Sequence, residues 1–121
     1  MLAEIRRGDA ATEFATDERC YIVEVANDEN DPQLSIARAR VEAGVTTAWH
    51  RLDGTAERYL VISGEGLVEI GELAPAPVGP GDVVRIPPGI AQRITNTGQH
   101  PLIFYALCTP RFKADNYVSL E

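Results

Sequence analysis

At 121 residues and a net charge of -7, from 18 acidic and 11 basic side chains, the chain has the length of one domain and lacks the basic footprint of a nucleic-acid binder or of a protein held on anionic lipid. Apolar residues at 45% and charged residues at 24% describe a globular protein able to bury a core without staples, not a disordered acidic segment. Two cysteines, Cys20 and Cys108, form no CxxC and no zinc-ligand spacing, so they read as reduced, buried thiols.

Residues 1–7 carry no apolar leader core, and no apolar run approaches the roughly 20 residues that span a bilayer, so a cytoplasmic location is expected. The first strand expected is 20–25 (CYIVEV), followed by a polar turn at 27–32. Residues 34–41 (LSIARARV) alternate, with Ala37, Ala39 and Val41 on one face. Arg38 and Arg40 fall on the other face, where they should pair with surface carboxylates. Gly44 ends that run; strands follow at 46–52 and 57–62, separated by an Asp53-Gly54 turn, and then at 67–70. Residues 71–81 are too rich in Pro and Gly for a helix and read as a loop. Strands at 82–86, 92–95 and 102–108 complete the set, with turns at 87–89 and 96–98. The tail, 110–121, reads as irregular with one helical turn near Ala114, and is expected to pack on the outer sheet or a neighbouring subunit; the alternative is that it folds over a barrel mouth and places Arg111 to meet an anionic ligand. His100 falls in a polar turn and should be solvated. Trp49 points away from His50 by strand parity and belongs to outer packing. No sustained helical period occurs, and many short strands between turn signals indicate a β-sandwich or barrel over one domain, 1–121.

Two stretches carry more than fold. Residues 44–64 read GVTTAWHRLDGTAERYLVISG, with Gly44, His50, Glu57 and Gly64 at fixed intervals; residues 81–96 read GDVVRIPPGIAQRITN, with Gly81, Pro87, Gly89 and Asn96 likewise. The glycines fall where short strands reverse, positions that favour positive φ. In their spacing the two stretches resemble the paired motifs of the cupin superfamily. That resemblance implies an all-β, double-stranded β-helix (jelly-roll) barrel.

It also implies a metal site, with departures. The family's ligand positions fall here on His50, Leu52, Glu57 and Gln92. Leu52 cannot ligate, and Gln92 offers only an amide oxygen. Parity puts His50 with Leu52, Glu57 with Tyr59 and Val61, and Gln92 with Ile94 on shared faces. If those faces point inward, His50, Glu57 and Gln92 converge in a pocket ringed by Leu52, Tyr59, Val61 and Ile94, with Ala37 and Ala39 leaving room for a ligand. One imidazole, one carboxylate and one amide suit a divalent Fe, Mn, Ni, Co or Zn without choosing among them. The first expectation is therefore a metal-binding enzyme of oxygenase, isomerase or lyase type acting on a small organic substrate, with Tyr59 the candidate acid or orienting group. The alternative is a metal-free module that holds a small molecule or sugar without catalysis, and a third is a structural partner using its outer faces. A homodimer is expected, since exposed edge strands are often closed by pairing.

Overall fold

Period-two alternation builds two antiparallel sheets whose inner faces meet. The computed structural model describes residues 1–8 and 11–121. Its strands, in chain order, are β1 Phe14–Ala15, β2 Tyr21–Ala26, β3 Ser35–Val41, β4 His50–Leu52, β5 Ala56–Ser63, β6 Gly66–Ile70, β7 Ala76–Val78, β8 Val83–Ile86, β9 Gln92–Asn96, β10 Leu102–Thr109 and β11 Tyr117–Ser119. The larger sheet runs β1-β2-β3-β10-β5-β8 and the smaller β11-β4-β9-β6-β7. This is the jelly-roll barrel that the two motifs imply. Among the described residues no helix is long and apolar enough to cross a membrane.

The expected faces are the observed ones. On β10, Leu102, Phe104, Ala106 and Cys108 are buried, while Ile103, Tyr105 and Leu107 between them are half-exposed. Register fixes what each meets: Leu102 lies opposite Val41, Phe104 between Ala39 and Val61, Ala106 between Ala37 and Tyr59, and Cys108 between Ser35 and Glu57. The core fills the space between the sheets with Val41, Val61, Val68, Ile70, Ile86, Ile94, Leu102 and Phe104. On the outer face Arg40 pairs with Glu13 at 2.6 Å and also with Glu42, and Arg38 approaches Glu13 at 3.9 Å. Such exposed pairs contribute about 1 kcal/mol or less each. Trp49 lies under the Arg93 guanidinium, 5.0 Å from its ring centre, and His100 is exposed.

Gly44, Gly64, Gly81 and Gly89 all take positive φ. At Gly64 the requirement is double. Its φ is +86°, and a Cβ there would stand 2.7 Å from the Pro101 carbonyl oxygen, so the β5–β6 turn needs glycine for conformation and for close approach. Asn96 is buried, and its amide donates to the carbonyls of Val41 (2.9 Å) and His100 (2.8 Å), which ties β9 to the ends of β3 and the β9–β10 turn.

Several expectations need correction. The expected loop 71–81 contains β7, a short exposed edge strand where Pro77 is tolerated. The expected strand 46–52 is a ladder only over β4; upstream, Thr46 makes a single bridge to Thr95, and the Thr47 hydroxyl accepts from the Ile94 amide at 3.0 Å. The tail has the expected helical turn, but it is not otherwise irregular throughout. A 3-10 turn at Ala114–Asn116 leads into β11, which pairs with β4 through Tyr117–Leu52 and Ser119–His50. Three residues are too few to display a period, and only the exposed edge of β4 makes them a strand.

Candidate functional site

The inner side chains shrink and become polar towards one end of the larger sheet. There a cavity of about 90 Å³ opens between the sheets. Ala37, Ala39 and Ala106 leave the space; His50, Leu52, Glu57 and Tyr59 reach into it from β4 and β5.

His50 is fixed by its own neighbours. Its Nδ1 lies 2.8 Å from the Ala48 carbonyl oxygen. A carbonyl can only accept, so Nδ1 carries a proton, and in the neutral form of the ring the lone pair lies at Nε2. The Tyr117 ring stacks on the imidazole with centres 5.0 Å apart. Nε2 faces the Glu18 carboxylate at 3.9 Å, too far for a hydrogen bond but close enough for charge to be felt. Ala48 serves both groups, because its N–H donates to the Glu18 carbonyl at 3.0 Å. Arg19, at φ +66°, turns the chain beside Glu18, and its guanidinium grips Glu121 at 3.0 and 2.8 Å. Burial raises the Glu18 pKa, and the His50 imidazole opposes that shift.

Glu57 lies on β5 opposite Cys108. Its Oε1 is buried without a partner, and its Oε2 accepts from the Cys108 thiol at 3.7 Å. Burial lifts its pKa to about 7; the Gln92 amide and the Cys108 thiol pull it down, and the Glu18 charge pushes it up. Tyr59 donates its hydroxyl to Gln92 Oε1, and burial, with Glu57 beside it, keeps it a phenol well above its ordinary range. Its ring packs on Phe104 at 4.4 Å between centres. Both thiols are free and are held protonated by burial, Cys20 being pushed up to about 11. Cys108 faces the cavity, whereas Arg111 does not line it and donates to Asn27 at 3.0 Å.

Of the expected pocket residues, Ala37, Ala39, Leu52 and Tyr59 line the cavity. Val61 and Ile94 do not, because they sit in the packed core where aliphatic side chains fill the barrel. Gln92 is fully buried outside the lining and joins it through the Tyr59 hydroxyl. The tail also departs from expectation, since Phe112 lines the cavity and Tyr117 stacks on His50.

Glu18, Glu24 and Tyr117 were not anticipated as site residues. Glu24 had a legible signal, since Cys20, Ile22 and Glu24 share one face of β2 and a carboxylate on an otherwise apolar face marks a polar site. Glu18 and Tyr117 had none, being delivered by a loop and an edge strand.

The donor chemistry does not match a three-ligand metal centre. His50 Nε2 and Glu57 Oε1 are open, but the Gln92 oxygen already accepts from Tyr59 and its unpartnered atom is the amide nitrogen, a donor no metal can use. Among the described residues no group of three or more His, Cys, Asp or Glu side chains could hold a metal ion.

Comparison with known proteins agrees with the barrel. Pac13, a nucleoside dehydratase that has been solved from Streptomyces with uridine, superposes with TM-score 0.82 over 99% of this chain and 92% of its own, at 16% identity. A predicted oxalate decarboxylase from Thermotoga maritima gives 0.78 over 88% and 99%, at 23% identity. A 63-residue stretch is 41% identical to glucose-6-phosphate isomerase of Thermococcus kodakarensis, covering 49% of this chain. The match spans about a third (33%) of that isomerase's length. The family model described as the cupin domain matches residues 37–108, which hold both motifs and the strands that carry His50, Glu57 and Tyr59, and the chain belongs to that family.

Proposed function

We propose that this cupin is a proton-transfer enzyme of isomerase or lyase type, acting on a small polar molecule held in the cavity between the sheets. The observation that carries the reading is a buried carboxyl poised near neutrality, Glu57, sharing one small cavity with a histidine whose Nε2 lone pair is unoccupied. Two titratable groups with different environments are the usual basis for dividing acid from base.

In this reading His50 Nε2 removes a proton from substrate carbon, and Glu57, protonated in part of the population near pH 7, delivers one to a substrate oxygen. In an elimination the C–H electron pair becomes the new C=C bond and the protonated hydroxyl leaves as water. In an isomerisation the same two transfers give an enediol; Glu57 then takes the proton of the neighbouring hydroxyl while His50 returns its proton to the adjacent carbon, and the carbonyl has moved along the chain. The Ala48 carbonyl holds the imidazole in the required tautomer, and Tyr59 with Gln92 supports the wall behind Glu57. The solved enzymes of the same fold are consistent with catalysis in such a cavity.

The test is exchange of carbon-bound hydrogen with deuterated solvent, followed by NMR across small polyols, aldehydes, ketoses and nucleosides. His50→Asn and Glu57→Gln should each lower exchange about 10²–10⁴-fold while the folded spectrum persists. Absence of exchange from every compound would favour the binding-module reading. A metal ion bound at one per chain after reconstitution with Fe, Mn, Ni, Co or Zn, and lost in His50→Ala, would restore the centre built on His50, Glu57 and Gln92.

A further inference from the structure

We infer that the cavity takes an uncharged or cationic small molecule bearing hydroxyl or amine groups, and turns phosphates and carboxylates away. The inference rests on the same cavity being the binding site, and it names the class of ligand that site accepts.

Charge is the first argument. The lining contains Glu18, Glu24 and Glu57 and no lysine or arginine. Only His50 can become positive there, and Glu18 stands 3.9 Å from its Nε2 to answer that charge. The nearby guanidiniums are committed elsewhere, Arg19 to Glu121, Arg40 to Glu13 and Arg111 to Asn27. An anion brought into this small cavity would meet like charge across a medium that screens poorly.

Hydrogen bonding is the second. Anion sites are built from free N–H donors, helix N-termini or forked guanidiniums. Here no guanidinium and no helix N-terminus lines the cavity, and the Tyr59 hydroxyl is engaged with Gln92, the Cys108 thiol with Glu57 and the His50 Nδ1–H with Ala48; the donors left are neutral, the hydroxyls of Ser35 and Thr47. Two strong acceptors are open beside them, Glu57 Oε1 and His50 Nε2, the latter on a side chain only 5% exposed. Open acceptors call for a ligand that donates, and hydroxyl or amine groups do so.

This separates the chain from the archaeal isomerases it partly matches, which are named for a phosphorylated sugar.

The experiment uses two matched trios, glycerol with serinol and glycerol 3-phosphate, and glucose with glucosamine and glucose 6-phosphate. Each is titrated into isotope-labelled full-length protein, following amide shifts at His50, Glu57 and Cys108. In at least one trio the neutral and amine members should shift those amides, and the phosphate should bind at least about tenfold more weakly. Glu24→Lys should narrow that ratio about tenfold, and Glu24→Gln should narrow it less, with the folded spectrum checked for both. Phosphates that bind as well as their neutral partners would overturn the inference, as would a protein in which no member of either trio moves those amides. Because the readout is binding, neutral ligands that bind without proton exchange would defeat only the catalytic proposal, and phosphates that undergo exchange would defeat only this one.

Discussion

The two ends of the barrel are built from the same three strands and differ only in side chain. At one end Val41, Leu102 and Val61 meet across β3, β10 and β5 and fill the space, with Phe104 packed beside them and lining the cavity on its other side. Two rows further along, the same inward positions hold Ala37 with Ala106 and Tyr59, then Ser35 with Cys108 and Glu57. The backbone scaffold is common to both, so the cavity exists because aliphatic volume has been withdrawn and replaced by small and polar groups. One end contributes stability, and the other gives up packing for chemistry.

The largest effect should come from emptying the closed end. Leu102 is fully buried, and Leu102→Ala should cost about 2–5 kcal/mol in denaturant unfolding, because transfer and cavity terms add. If the loss is below about 1 kcal/mol, the two ends are not as different as described.

Glu57→Gln sharpens the contrast from the polar end. The folded pKa of Glu57, about 7, lies above its ordinary value of 4.5. Between those values the unfolded chain has lost a proton that the folded protein keeps, so stability falls as pH rises and the full cost is reached above pH 7. The shift corresponds to roughly 3 kcal/mol. Glu18, also raised by burial, adds to the same trend, whereas Glu121, lowered to about 2 chiefly by Arg19, acts only in acid. Stability curves from pH 5 to 8 should therefore slope downward in the parent and be flatter in Glu57→Gln. Parallel curves would remove the buried, unpartnered carboxyl from the account.

The smallest effect should come from filling the open end. Ala37 faces the cavity, and Ala37→Val adds volume where space exists, so its stability should change by no more than about 1 kcal/mol. Ligand binding should nevertheless weaken, as read by the same amide shifts. A substantial loss of stability there would mean that the cavity wall is already close-packed.

Much of the fold was readable before any coordinates. The shared face of Ala37, Ala39 and Val41 on β3, the glycine turns and the outward Arg38 and Arg40 follow from period-two alternation and from the backbone needs of tight reversals, whereas the apolar run of β10 carries no readable parity. The resemblance of the motif spacing to the cupin family brought His50 and Glu57 to notice, and strand parity added Tyr59. What escaped was set by distance along the chain. Glu18 and His50 are brought together through Ala48, and Tyr117 is stacked on the imidazole by an edge strand of three residues.

The sequence by itself determined which faces are apolar, where strands must reverse, and that one histidine and one glutamate share a motif. Those are properties of near neighbours, written in parity and in glycine. Only the tertiary structure decided that Val61 and Ile94 seal the core, that the Gln92 oxygen is taken by Tyr59, and that Glu57 is buried facing Glu18's charge. Hydrogen-bond partners and dielectric surroundings come from residues far apart in sequence, and no local pattern carries them.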